Sequence, residues 1–414
     1  MSTIALNPLP QETDEDLRKE RFYVIILAAI QVAHILDFVI MMPLGPNFMR
    51  VFNVTTTQFS ALVSAYTFSA GIVGFLGALY ADHFDRKKFL LFNFTGFIIG
   101  TAMCAMAQGF ASLLIARIIA GAFGGVLNAC VLSLVTELIP FKRRGAAMGV
   151  VMSAFSVASV LGIPLGLYLA NTFDWHAAFI FICVLAAIFW VASIIILPAV
   201  KVDHEPTSIV QNMKNFKKIL IQPDYLISFS LTVILAFGVF GIVPFISPYM
   251  VKNVGLTEKD LPLIYLVGGT CTIISSRIIG KACDRLGNLK VFRFLAIISI
   301  LPMLLLTNAP ALPIWGALMV TSMFVVFVSG RFIPAMTLIS GMVKPKERGT
   351  FMSLENAFRQ LASGASSQIA GILITTGAMG ELIGYSRVGL IGAATSVVAL
   401  FIATIVSKKL TFQK

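Results

Sequence analysis

Apolar runs long enough to cross a bilayer recur along the whole chain, and no other feature constrains its fold so tightly. Each covers roughly 18–28 residues, the length that carries a helix through about 30 Å of hydrocarbon. They fall at about 22–44, 58–80, 89–107, 111–136, 146–170 and 177–198. After the polar segment KVDHEPTSIVQNMKNFKK come six more, at about 225–250, 260–282, 291–308, 313–341, 350–376 and 386–407. Only helices and closed barrels satisfy their backbone polar groups in lipid. Barrel strands alternate in polarity over about ten residues, which these unbroken runs do not. The expected fold is therefore an all-α polytopic membrane protein with twelve transmembrane helices. Composition agrees: 58% of the 414 residues are hydrophobic and 12% charged, against about 45–50% and about 25% in soluble domains. The first run follows the polar tail QETDEDLRKER, has no small-x-small cleavage site and is followed by similar runs, so it reads as a retained span rather than a signal peptide.

The net charge of +12 raises the possibility of a nucleic-acid partner, but its placement excludes one. Twenty-three of the 31 lysines and arginines lie in the two termini and in alternate connections, including Arg86–Lys88, Lys142–Arg144 and Lys344–Arg348. The opposite loops hold only Arg50, Lys252, Lys259 and Arg387. That asymmetry is the positive-inside pattern, with both termini on the cytoplasmic side. Cys104, Cys130, Cys183, Cys271 and Cys283 stand singly in or beside apolar runs and read as small packing residues. No phosphate-binding glycine loop, nucleophile elbow or H-E-x-x-H pair is present, so no enzyme chemistry, metal or cofactor is expected.

The chain repeats itself. Asp82 and Asp284 each open a charged loop 202 residues apart, and KRRGAAM at 142–148 returns as KERGTFM at 346–352. NVTTTQF at 53–59 is matched by NVGLTEK at 253–259, where Thr55 with Gln58 and Thr257 with Asp260 form capping-box starts. Ordered offsets of this kind imply two similar six-helix bundles with a site at their interface. The expected boundaries are a tail at 1–21, bundles at 22–198 and 225–407, a linker at 199–224 and a tail at 408–414.

With these motifs the sequence resembles the major facilitator superfamily, and within it the twelve-span drug–proton antiporter branch with its sugar-efflux-like members. The loop between helices 2 and 3 of that family reads G-x-x-x-D-R-x-G-R-K. The second copy keeps Gly280, Asp284, Arg285, Gly287 and Lys290. The first keeps Asp82, Arg86 and Lys87, with Ala78, His83 and Asp85 at the Gly, Arg and Gly positions. The resemblance implies a cytoplasmic gate of Asp82, Arg86, Glu137, Asp284 and Arg285; ordinary solvated loops are the alternative. ARIIAGAFGG matches the helix-4 pattern through Arg117, Gly121, Gly124 and Gly125. Gly162, Pro164 and Gly166 resemble the antiporter Gly/Pro segment of helix 5, a hinge in which Ile163 separates glycine from proline. DWHAAF places His176 where the family has arginine.

Arginine in mid-membrane costs roughly 3 kcal/mol or more and needs a partner or a wet cavity. Asp37 on helix 1 matches the acidic position of the family, so the resemblance sets it opposite Arg117. A neighbouring cation favours an ionised carboxyl and burial favours a protonated one, so motion that alters either can load and release a proton. Asp37, Arg117 and His34 are the expected proton-coupling residues; a permanent ion pair and a packing histidine are the alternatives. Glu355 and Arg359, four apart, either neutralise each other or join Asn356 and Gln360 in a polar patch, while Arg331 has no acid in its own span. Phe38, Met41, Tyr66, Asn128, Phe155, Phe240, Phe245, Tyr249 and Tyr265 complete the expected cavity wall.

The reading that follows is a monomeric secondary transporter in a bacterial inner membrane, exporting small organic molecules in exchange for protons. Uptake of a nutrient or siderophore-like anion, anchored by Arg331 or Arg359, is the alternative within the same fold. A membrane sensor or lipid-handling protein is a third, against which the short loops count.

Overall fold

The computed structural model describes residues 14–80, 84–199, 209–344 and 347–413. Span 1 is Asp14–Ile40, extended after a turn by Gly45–Val51. Spans 2, 3, 4 and 6 are Thr56–Tyr80, Arg86–Ala105, Phe110–Leu138 and Trp175–Ile196. Span 5 runs through Phe141–Met152, Ala154–Val157, a π turn at Ala158–Gly162 and Ile163–Thr172. A connecting helix, Ile209–Ile221, leads to span 7, which is Pro223–Phe240 followed by Ile246–Lys252. Span 8 is Leu261–Leu286, span 9 is Asn288–Ile298 with Ile300–Thr307, and span 10 is Ile314–Gly330 with Phe332–Gly341. Span 11 is Arg348–Leu373 and span 12 is Tyr385–Gln413. A two-stranded hairpin, Thr375–Thr376 against Leu382–Ile383, joins the last two. Asn253 pins it by donating to the Leu382 carbonyl at 3.0 Å and accepting from the Leu382 amide at 2.9 Å.

Local chemistry sets the helix ends. Thr55 and Gln58 close the reciprocal cap before span 2, at 2.9 and 3.2 Å, and Thr257 with Asp260 repeats it before span 8. Asp85 accepts from the Lys88 amide at 2.9 Å and caps span 3. The non-glycine residue that departs from the family loop therefore has its own task, an anionic cap at the helix start. Asp82 lies outside the described residues.

Among the described residues, eleven helices are long and apolar enough to cross a membrane. Span 11 is the twelfth, and its polarity has a structural reason. Glu355, Ser363, Ser366 and Ser367 are buried inside the protein rather than turned to lipid, because the helix packs along span 2 and against span 7. That setting tolerates polar groups that lipid does not.

The apolar cores show where the halves meet. One core mixes first-half Leu36, Phe48 and Phe59 with second-half Ile242, Phe245 and Met250. A second belongs to the first half, around Phe94, Leu127 and Val131. A third belongs to the second half and to the connecting helix, through Phe216 and Ile219, and takes Leu79 from span 2. The halves are thus fused at the end carrying the 53–57 and 253–257 loops and keep separate cores at the basic end. A seam of hydroxyls reinforces the fusion. Thr56 donates to the Ile374 carbonyl at 2.5 Å, Thr57 to the Gly371 carbonyl at 2.9 Å, and Ser64 to Gln368 Oε1 at 3.0 Å. Gly371 is required there, since a Cβ would overlap the Ser60 side chain. At the rim, Arg50 pairs with Glu258 at 2.5 Å and Asn171 donates to the Glu258 carbonyl at 3.0 Å.

Candidate functional site

The site begins where spans 1, 2, 3 and 4 pack together. Span 4 approaches span 2 so closely that a Cβ on Gly125 would lie 2.5 Å from Ala70 Cα. Small residues permit this contact, and it brings the Arg117 side chain against Tyr66. The Arg117 guanidinium carbon sits 4.4 Å from the centre of the Tyr66 ring. Its Nη1 donates to Asp37 Oδ2 at 2.9 Å and to the Asp37 carbonyl at 3.2 Å. Thr101 of span 3 donates to Asp37 Oδ1 at 3.2 Å. Both charged side chains are completely buried. Sequence reasoning placed this pair together, and the structure does so.

The pair is incompletely satisfied. Arg117 Nε and Nη2, the Tyr66 hydroxyl and both ring nitrogens of His34 meet no hydrogen-bond partner. His34, one turn before Asp37, is buried and contacts the rings of Tyr66 and Phe97 at 6.4 and 6.0 Å. From Arg117 a line of rings runs toward the other half: Phe38 stacks on Tyr66 at 5.3 Å and meets Phe240 of span 7 at 6.0 Å. Phe59 and Phe245 make a second cross-half contact at 5.6 Å, and Met41 is buried in the shared core. Asn128 accepts from Gln31 at 2.8 Å, a turn below His34.

In the second half, of the two alternatives for Glu355 and Arg359, the intrahelical ion pair does not form among the described residues. Arg359 Nη2 donates to Asn356 at 2.6 Å, while Glu355 accepts from Thr232 of span 7 at 3.2 Å. Spacing puts Glu355 and Arg359 on one helix face, but each has a nearer partner. Gln360 is half-buried beside them. Arg331 is fully buried and, among the described residues, bonds only to hydroxyls of spans 9 and 12. Tyr265 shares a 2.8 Å hydrogen bond with Ser247. Two expected wall residues are corrected. Tyr249 is buried within its own half, against Tyr385 at 4.7 Å with its hydroxyl on the Ala309 carbonyl. Phe155 is 47% exposed on the short Ala154–Val157 helix and makes no ring contact with the site.

At the basic end Arg86 pairs with Glu137 at 2.8 Å, joining spans 3 and 4 as expected. Asp284 and Arg285 are exposed and form no ion pair among the described residues. Gly162 ends the π turn two residues before Pro164, and Gly162 and Gly166 lie against Leu36 and Ile40 of span 1. A π turn absorbs the donor that proline removes, which gives span 5 a local irregularity at the segment proposed as a hinge. Sequence reasoning missed Thr101, Ser299, Ser396, Gln368 and Lys87, whose ammonium holds the Ile194 and Leu197 carbonyls at the end of span 6. The seam had a legible signal, hydroxyls at 57, 60, 64 and 67 in helical spacing.

The profile described as Major Facilitator Superfamily matches residues 27–367. The chain belongs to this family. It is a multi-pass membrane transporter for small molecules and not an enzyme. Among relatives within the superfamily, the uncharacterized MFS-type transporter YceJ of Bacillus subtilis (strain 168) is 23% identical over 358 residues, covering 85% of this chain and 89% of its own. Multidrug resistance protein 2 of the same organism is 24% identical over 362 residues, covering 86% and 89%. Among solved structures, the D-xylose-proton symporter superposes with a TM-score of 0.75 at 17% identity, over 92% of this chain and 97% of that one. An inward-facing, occupied bacterial homologue of the human lysosomal transporter Spinster gives 0.71 at 15% identity, over 94% and 97%. These likenesses establish the fold.

Proposed function

We propose that this transporter exports small organic molecules in exchange for protons, with Asp37 as the proton-carrying group. The observation that carries the reading is the fully buried Asp37–Arg117 pair, whose remaining donors are unmet and which adjoins the Tyr66–Phe38–Phe240 line between the halves. Protonation of Asp37 would remove one charge of the pair and free the guanidinium, a change large enough in a dry interior to bias one arrangement of the halves over another. His34, one turn nearer the basic end, would pass the proton in or out. The bundles at 22–198 and 225–407 would rock about span 5, with Arg86 and Glu137 part of the cytoplasmic gate and aromatic side chains accepting amphipathic substrates. Both termini would face the cytoplasm of a bacterial cell, as the basic loops require. On that orientation the shared core closes the external side. The name of one relative, a multidrug resistance protein, supports efflux.

The test is transport in proteoliposomes with an imposed pH gradient and a panel of amphipathic dyes. Wild-type protein is expected to move dye against its gradient, and Asp37→Asn to lose the proton-driven component. Undiminished concentrative transport after the proton gradient is collapsed would overturn the reading.

A further inference from the structure

Arg331 occupies a setting unlike that of Arg117. It stands at a one-residue interruption between Ile314–Gly330 and Phe332–Gly341, and Pro334 follows three residues later. Ser299 stands at the matching interruption of span 9, between Asn288–Ile298 and Ile300–Thr307, with Pro302 three residues on. In each span proline withholds a helix donor just past the interruption. The two interruptions meet through the guanidinium: Arg331 Nη1 donates to Ser299 Oγ at 3.4 Å and to Ser396 Oγ at 2.6 Å.

No carboxylate pairs with this guanidinium among the described residues, and its Nε and Nη2 have no acceptor. Arginine does not escape by losing its proton. A fully buried, uncompensated cation calls for an anion. Glu355 is taken by Thr232 and has Arg359 on the following turn. Ser299 and Ser396 donate their hydroxyls to the Ala296 and Gly392 carbonyls, both at 2.9 Å, and would exchange those bonds for an anion.

We propose that Arg331, Ser299 and Ser396 form a binding site for a compact monovalent anion in the second half. The anion is chloride or the carboxylate of a transported molecule, and the latter source rests on the transport reading above. The test uses the purified full-length protein in a buffer whose only anion is a bulky sulfonate. Thermal unfolding is followed while chloride, or separately acetate and benzoate, is added at constant ionic strength. Wild-type protein is expected to show a saturable rise in melting temperature. Arg331→Gln is expected to lose it, and Ser396→Ala, which keeps the guanidinium and the fold, to need about tenfold more anion. A response to chloride alone identifies an ion site; a response to carboxylates alone identifies a substrate anchor. Binding is read without transport, so an intact response in Asp37→Asn separates this site from the proton-coupling scheme. No saturable response, or equal responses in wild type and Ser396→Ala, would overturn the proposal.

Discussion

Each half of the transporter buries one guanidinium completely, and the two are satisfied in opposite ways. Arg117 has a carboxylate at 2.9 Å, a carbonyl and an aromatic face. Arg331 has two serine hydroxyls and no acid. The halves repeat in sequence and in helix order, so the fold alone does not explain the difference. One scaffold thus carries a buried guanidinium in each half with different compensation, so the helix order does not dictate how a buried charge is satisfied. The first half buries a neutral ion pair, and the second buries a guanidinium with no carboxylate partner among the described residues.

The sharpest way to break this comparison is to remove each cation in turn. Arg117→Gln leaves Asp37 buried without its partner and is expected to cost about 3–5 kcal/mol of stability, with loss of transport. Arg331→Gln removes an uncompensated charge and is expected to leave stability unchanged or raised in buffer free of compact anions. Equal losses in detergent-solubilised unfolding curves would dissolve the contrast. Next in size is Gly125→Ala, which drives a methyl group into the backbone of span 2 and is expected to cost about 1–3 kcal/mol. Because it displaces Tyr66 from Arg117, it should also impair transport, as measured beside the Asp37 variant. Gln368→Leu removes the acceptor for Ser60 and Ser64 and should weaken closure by about 1 kcal/mol. Spin labels on the 53–57 and 253–257 loops are then expected to report a larger share of long distances.

The smallest effect lies outside the spans, where Glu347 accepts hydrogen bonds from Lys218 at 2.8 Å and from Tyr225 at 2.6 Å. The Lys218 hydrogen bond, followed by that of Tyr225, holds the Glu347 carboxyl below its usual 4.5. The clamp's contribution is thus fully present above that value and is lost as pH falls through the lowered one. Glu347→Gln should flatten a shallow acid-side decline in stability of the connecting helix, followed by hydrogen exchange.

How much of this was legible in the sequence depended on how strongly lipid penalises the alternative. Arg117 needed a partner or a wet cavity, and the family resemblance pointed to Asp37. The span count followed for the same reason, span 11 included, whose polar residues are explained by its burial between spans 2 and 7. Arg86 and Glu137 were readable as opposite charges at neighbouring helix ends. Where several partners were within reach, spacing was not enough. Glu355 and Arg359 share a face, yet Asn356 and Thr232 take them apart. Tyr249 carries the aromatic signature of a cavity wall but packs inside its own half, because helix rotation is set by neighbours such as Tyr385 and not by residue type. Ser299 and Ser396 carried no signal, since serines recur in helical spacing throughout spans that never meet a charge.

The central claim is that Asp37 changes its protonation state while buried beside Arg117. Infrared difference spectroscopy of the reconstituted protein across a pH titration reads that directly, through the carbonyl stretch of a protonated carboxyl group. The account predicts such a band that grows as pH falls, is absent from Asp37→Asn and persists in Glu355→Gln. An Asp37 that stays ionised over the whole pH range of the folded protein would make the pair a permanent strut and contradict the coupling scheme.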